Sequence, residues 1–289
     1  MDHVAHFVPQ MEGTSSELEW LGFTVTPFSS QSHRVEPGGP LEPAGAGNSC
    51  VMFRRGYLEF LTPIGDTPIA AQLRAAMQRY VGVHLIAFGT AAPAEDYARL
   101  TEGGFSPLEP LALQRAIETT TGDETARFSV VRVPPGTMPE GRVQFCQHLT
   151  PQWLWQDRWI RHPNHAVAIK GVIVCVADPQ EAGQRYARFA GLDARTHGDG
   201  WCIVTGRGYL LFADAPSVSQ RFGVDPPSLP WIAGYILESQ DIRATADYLS
   251  ASSVQSRALD GQRILIELPP ALGGIAVFEP TNSEMLHFH

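Results

Sequence analysis

Basic residues are scarce in this chain, and lysine is nearly missing. Lys170 is the single lysine among 289 residues, and 21 lysines and arginines together face 30 aspartates and glutamates, for a net charge of −9. So few cations make no extended surface for a phosphate backbone, which excludes nucleic acid as the main partner. Long apolar runs are absent as well: none approaches the ~18 residues a membrane-spanning helix needs. The opening Met1-Asp2-His3 has neither the basic flank nor the apolar stretch of a signal peptide, so a cytoplasmic protein without a membrane partner is expected. Cysteine is sparse, with four residues (Cys50, Cys146, Cys175 and Cys202). Each sits in an apolar, strand-like run without a close partner, the pattern of small buried hydrophobes rather than of a disulfide framework or zinc knuckle.

What the chain does have is repetition. Arg55-Gly56-Tyr57-Leu58-Glu59-Phe60 returns as Arg207-Gly208-Tyr209-Leu210-Leu211-Phe212, with Cys50 and Cys202 at the same offset before it. Tyr97-Ala98-Arg99-Leu100 is echoed by Tyr186-Ala187-Arg188-Phe189. The length suits two domains of ordinary size, and the echoes make them internal duplicates. The pattern predicts four units, each an apolar strand, an amphipathic helix, then two or three strands ending in the strongest apolar run. An α+β fold of four βαβββ-type modules follows, with modules 1–80 and 81–151 in an N-terminal domain (1–165) and modules 166–226 and 227–289 in a C-terminal one (166–289). The first helix is expected to start at Thr14-Ser15-Ser16, and Pro68 to Tyr80 to form a connecting helix. Pro37 to Gly47 and Thr119 to Thr125 read as loops. Trp153 to His165 marks the boundary between halves and predicts a tryptophan-covered seam.

The two copies of the hexapeptide differ at one place, Glu59 against Leu211. Side chains alternate faces along a strand, so a leucine at the matching position argues that the position is interior. A carboxylate there costs several kcal/mol unless a cation compensates it or it is protonated. Aligning the shared Leu-Thr-Pro of residues 61–63 and 149–151 sets Gln147 against Glu59, and the opening strands set His3 against His84. A one-residue slip would bring Cys146 or His148 inward instead. In the C-terminal half the equivalents lie near Gly171 and Gly234, and at Leu211 and Val277, none of which binds metal. That half is expected to be degenerate and structural. His6, on the face opposite His3, is expected to pack or to titrate outside the cavity. The 162–165 pair of histidines, interrupted by Pro163, is assigned no metal, and His287 and His289 fall in a tail.

His-Val-Ala-His-Phe-Val at 3–8 and Gly-Tyr-Leu-Glu-Phe-Leu at 56–61 resemble the first-strand and last-strand ligand motifs of the vicinal oxygen chelate superfamily, which holds glyoxalase I, extradiol dioxygenases and bleomycin-resistance proteins. Gln147 to Pro151, with the aromatic segment after it, is similar to a glyoxalase-like tandem subgroup. The resemblance implies paired modules curled into two half-open cupped β-barrels with helices outside and a divalent metal in the N-terminal cup. It carries His3, Glu59, His84 and Gln147 over as ligands to iron, manganese, nickel or zinc, with Glu59 as the catalytic base. Gln147 stands where the family often has a second glutamate, a departure from two-carboxylate proton shuttling. The implied activity is metal-dependent chemistry on a small substrate with vicinal oxygens, of lyase or isomerase type. A ring-cleaving dioxygenase and a non-catalytic sequestering protein are the alternatives, and a homodimer is compatible with all three.

Overall fold

The computed structural model describes residues 1–33 and 39–288. The first module comprises β1 (His3–Phe7), α1 (Met11–Trp20), β2 (Ser29–His33), β3 (Glu42–Met52) and β4 (Tyr57–Pro63). Helix α2 (Pro68–Met77) leads to β5 (Gly82–Gly89), α3 (Pro93–Glu102), β6 (Leu108–Thr119), β7 (Gly122–Arg132) and β8 (Arg142–His148). After the single turn α4 (Pro151–Leu154), the third module runs through β9 (Ala166–Cys175), α5 (Pro179–Ala190), β10 (Ala194–His197), β11 (Gly200–Thr205) and β12 (Gly208–Ala213). Helix α6 (Ala215–Phe222) precedes β13 (Trp231–Ser239), α7 (Ile242–Ala251), β14 (Ser256–Ala258), β15 (Ile264–Glu267) and β16 (Ile275–Pro280). Four βαβββ modules are therefore present in chain order, and no described helix is long and apolar enough to cross a membrane.

Each module pairs its first strand in parallel with its last, and β1 meets β5, as β9 meets β13, antiparallel. In the N-terminal half the order β1-β4-β3-β2-β6-β7-β8-β5 returns to β1, so the sheet closes into a barrel. The closing pairs are Gln31↔Arg115, Ser32↔Gln114 and His33↔Leu113. The C-terminal strands, in the order β10-β11-β12-β9-β13-β16-β15-β14, stay open as a cup. Val218 and Phe222 of α6, with Leu286 and Phe288 of the C-terminal tail, pack with Ile173, Leu211, Leu265 and Val277 of its strands. Burying each large apolar side chain contributes about 1.5–3 kcal/mol.

Local chemistry moved several boundaries. Helix α1 starts at Met11, three residues before the expected Thr14; Thr14 lies within the helix and its Oγ1 donates back to Gln10 O at 2.7 Å. Glu42 to Gly47 belong to β3 rather than to a loop, while Pro37 and Gly38 lie outside the described residues. Thr119 to Thr125 is no open loop either, because the β6 and β7 ladders run to Thr119↔Gly122 and leave a two-residue turn. The tryptophan segment packs on the N-terminal barrel: Leu154, Trp155 and Trp159 cluster with Cys50, Met52 and Tyr57.

Candidate functional site

Period-two alternation decides what enters the barrel. From β1 and β4 come His3, Ala5 and Phe7 and, opposite them, Tyr57, Glu59 and Leu61, set by the register His3↔Tyr57 and Ala5↔Glu59. The cavity they line measures about 70 Å³. Since a water needs roughly 10–15 Å³ on this scale, it suits a substrate of a few heavy atoms. Leu61, Leu73, Leu85, Leu113, Phe128 and Val130 make its walls largely apolar.

Glu59 is 7% exposed and points into this cavity. Its Oε1 accepts from Gln31 Nε2 at 3.1 Å and from Asn48 Nδ2. Its Oε2 faces His3 Nε2 across 3.9 Å. The His3 ring stacks on Tyr57, centroids 4.4 Å apart, and its other nitrogen, Nδ1, lies 2.8 Å from Asp2 Oδ2. The same oxygen lies 2.8 Å from His148 Nε2. Burial, the largest influence on Asp2, pushes its carboxyl up, but the hydrogen bonds from His148 and His3 and their charge outweigh burial and hold it well below the usual carboxylate range. An ionised carboxylate only accepts, so the nitrogen of each histidine facing Asp2 carries the proton. That leaves His3 Nε2 turned toward Glu59, and His148 Nδ1 buried without a partner. Gly56 makes room for this arrangement: its φ is +76°, and a Cβ there would stand 2.5 Å from Asp2 O.

Asp2, His3, Cys146 and His148 together offer four donor atoms lying within 4.8 Å of one another. Two imidazoles, a carboxylate and a thiol suit zinc, iron or another borderline divalent cation. The gap between His3 Nε2 and Glu59 Oε2 also fits a shared cation, since bonds of about 2.1 Å from each would span it. Burial, then the Asp2 and Glu59 charges, pushes the Cys146 thiol well above its ordinary value, so it is a neutral thiol until a cation arrives. Cys146 and His148 also border an outer cleft of about 610 Å³ lined by Asp2, Arg54, Trp155 and Arg207, so the cluster stands at the barrel mouth. Trp155 is thus a wall of that mouth, its ring 5.0 Å from His148 and its Nε1 donating to Phe53 O.

Two residues expected from sequence do not join this group. The register opposes His3 with Ala87, and His84 lies three residues, about 10 Å, further along β5 beside a bulge. There His84 Nε2 pairs with Tyr80 O at 2.7 Å, its ring stacks on Tyr80 at 4.0 Å, and burial pushes its pKa down to about 4. Gln147 faces away from the cavity, and its Nε2 donates to Ala91 O. The shared Leu-Thr-Pro misleads here: Leu61 is 4% exposed inside the barrel, whereas Leu149 is 51% exposed beyond the end of β8. The inward residues of β8 are Arg142, Gln144 and Cys146, with His148 beyond them at the mouth. That alternation was readable as the one-residue slip; Asp2, beside His3, had no repeat partner to draw attention to it.

His6 and His162 are packing groups. His6 Nδ1 pairs with Leu272 O and the ring stacks on Phe60, while His162 bridges Thr24 N and Met52 O. Burial pushes both pKa values down to about 4. His289 lies outside the described residues. In the C-terminal cup, Gly171 pairs with Tyr209 as His3 pairs with Tyr57, and Ile173 with Leu211 as Ala5 with Glu59. A Cβ on Gly171 would stand 2.7 Å from the Tyr209 ring, so that ring takes the space a ligand would use.

Residues 1–190 match the model of a family described as a glyoxalase-like domain. Among solved structures, a hypothetical protein from Staphylococcus aureus aligns over 97% of this chain and 98% of its own, with TM-score 0.64 at 14% identity. A triple mutant of 4-hydroxymandelate synthase from Streptomyces coelicolor aligns over 100% of this chain and 94% of its own, with TM-score 0.57 at 13% identity. At these identities the likeness is one of fold. No curated protein sequence matches the chain. With the family model covering the whole closed barrel and the start of the cup, the chain belongs to the glyoxalase-like domain family.

Proposed function

We propose that the N-terminal barrel is the site of a metal-dependent enzyme acting on a small substrate with neighbouring oxygens, by lyase or isomerase chemistry, and that residues 166–289 serve as its scaffold. The observation that carries this reading is the face-to-face placement of His3 Nε2 and Glu59 Oε2, a buried imidazole and a buried carboxylate 3.9 Å apart. A metal ion between them would compensate the buried Glu59 charge. His3 and Glu59 would hold the metal, with His148 and Cys146 in reach at the mouth and Asp2 orienting both imidazoles. A divalent ion there supplies Lewis acidity to adjacent substrate oxygens.

The chain's own groups divide the remaining work. Asn48 and Gln31 fix Glu59 Oε1, so Oε2 is the oxygen that would face the metal and, once released from it, would accept a proton from the substrate carbon next to a carbonyl. The apolar wall excludes water from that carbon, which strengthens every charge interaction inside.

Metal-free protein offered iron, manganese, nickel and zinc in turn should take up one equivalent of at least one of them by elemental analysis. His3→Ala and Glu59→Leu should each abolish uptake. Failure of the unmodified protein to bind any of the four metals sinks this reading.

A further inference from the structure

Three arginines enter the barrel from adjacent strands: Arg115 on β6, Arg132 on β7 and Arg142 on β8. Each shares a face with other wall residues, Leu113 with Arg115, Val130 with Arg132, and Gln144 and Cys146 with Arg142. Among the described residues none of the three has a carboxylate within ion-pairing distance, although the chain's other enclosed cations, Lys170, Arg185 and Arg263, all do. Arg115 is satisfied only by a long contact to Cys50 Sγ at 3.9 Å. Arg142 donates once, to Gln72 Oε1 at 3.2 Å, and Arg132 Nε is buried with no partner at all.

Arg132 and Arg142 are the closer pair. Arg132 opposes Gln144, two residues along β8 from Arg142, which makes them diagonal neighbours about 7–8 Å apart at Cα. Burial lowers the pKa of both, and in Arg142, brought down to about 10, the neighbouring Arg132 charge adds to the effect while the Glu59 carboxylate opposes it. Two like charges in an apolar-walled chamber are costly without an anion between them. Guanidinium forks match the paired oxygens of a carboxylate. They form the floor of the cavity, since both also border the groove beyond it that holds Gln72 and His84. The mouth is formed by Cys146 and His148.

We infer that Arg132 and Arg142 form a carboxylate-binding floor, so that the substrate is a small organic acid held by its carboxylate with the adjacent carbon turned toward His3 and Glu59. The assignment rests on the barrel being the substrate chamber. The cavity volume restricts the acid to a few heavy atoms beyond the carboxylate.

Metal-stripped protein titrated with pyruvate, and separately with its uncharged counterpart acetone, tests this by calorimetry or equilibrium dialysis with no contribution from the metal. Pyruvate should bind saturably at one per chain and acetone should not. Arg142→Gln should weaken pyruvate binding at least tenfold, Arg132→Gln severalfold, and Arg142→Lys should recover part of the loss. Equal behaviour of pyruvate and acetone, which needs no variant and so is immune to misfolding, overturns the inference. Full pyruvate affinity in folded Arg142→Gln and Arg132→Gln overturns it as well. Metal uptake measured on the same samples separates the two claims: uptake without pyruvate binding removes the arginine floor and leaves the metal site, and pyruvate binding without uptake does the reverse.

Discussion

His3 and Gly171 stand on the same rung of duplicated ladders, and two rungs on, Glu59 answers to Leu211. In the N-terminal barrel the rung holds an imidazole stacked on Tyr57 and a carboxylate tied to Asn48 and Gln31. In the C-terminal cup the tyrosine hydroxyl is turned to the tail, accepting from Leu286 N, and Phe222 and Phe288 fill what would be the chamber. One backbone plan thus supports a hollow interior holding a few polar groups in one half and a solid apolar one in the other. The difference lies in what plugs the sheet and whether it closes, not in the strand order.

The most disruptive way to test that contrast is to exchange the two residues. Leu211→Glu should cost about 3–5 kcal/mol in urea unfolding, because an uncompensated charge would be buried among apolar groups. Glu59→Leu should leave stability unchanged or raised, while eliminating metal uptake. If both substitutions cost the same, the two interiors are equivalent and the contrast is lost.

Acid should find the N-terminal half first. His6, His84 and His162 titrate near 4 when folded against 6.5 otherwise, whereas none of the described C-terminal residues is a fully buried histidine. The unfolded chain therefore takes up protons below pH 6.5 that the folded one refuses until about pH 4. Their contribution is complete above 6.5 and is lost on descending from 6.5 to 4, by on the order of 1 kcal/mol per pH unit for each group. Hydrogen exchange at pH 5 against pH 7.5 should show protection lost in β1 and β5 before β9 and β12; the opposite order contradicts the assignment.

A smaller effect is expected from Asp2→Asn, which keeps the shape but removes the charge that orients two imidazoles. Metal affinity should fall about 10–100-fold with the fold intact. Smallest are the two residues that the barrel leaves aside. His84→Ala should cost about 1–3 kcal/mol for its buried stacking and hydrogen bond, with metal uptake kept. Gln147→Ala should change stability by less than about 0.5 kcal/mol and uptake not at all. Loss of metal in either variant would restore it to the ligand set.

Much of this was legible because duplication repeats its own punctuation. The hexapeptide and the Tyr-Ala-Arg echo fixed four modules, and Glu59 against Leu211 located an interior position. His84 and Gln147 were misplaced for a common reason: matching letters do not determine register. A bulge between β1 and β5 shifts His84 past the point opposite His3, and Leu149-Thr150-Pro151 begins a helix where Leu61-Thr62-Pro63 completes a strand. Asp2 was illegible for a different reason, since its role comes from two histidines 145 residues apart in sequence meeting at one carboxylate oxygen. No local pattern records such a meeting.

The seam between β2 and β6 has a further consequence. Those three residue pairs complete the hoop, and among the described residues the chamber borders clefts along its axis, past Trp155 at one end and the arginines at the other. The barrel then acts as a vessel of fixed capacity, sorting molecules by bulk before any polar group is consulted. Widening it takes a trimmed wall residue such as Leu113, and hastening exchange takes a looser hoop.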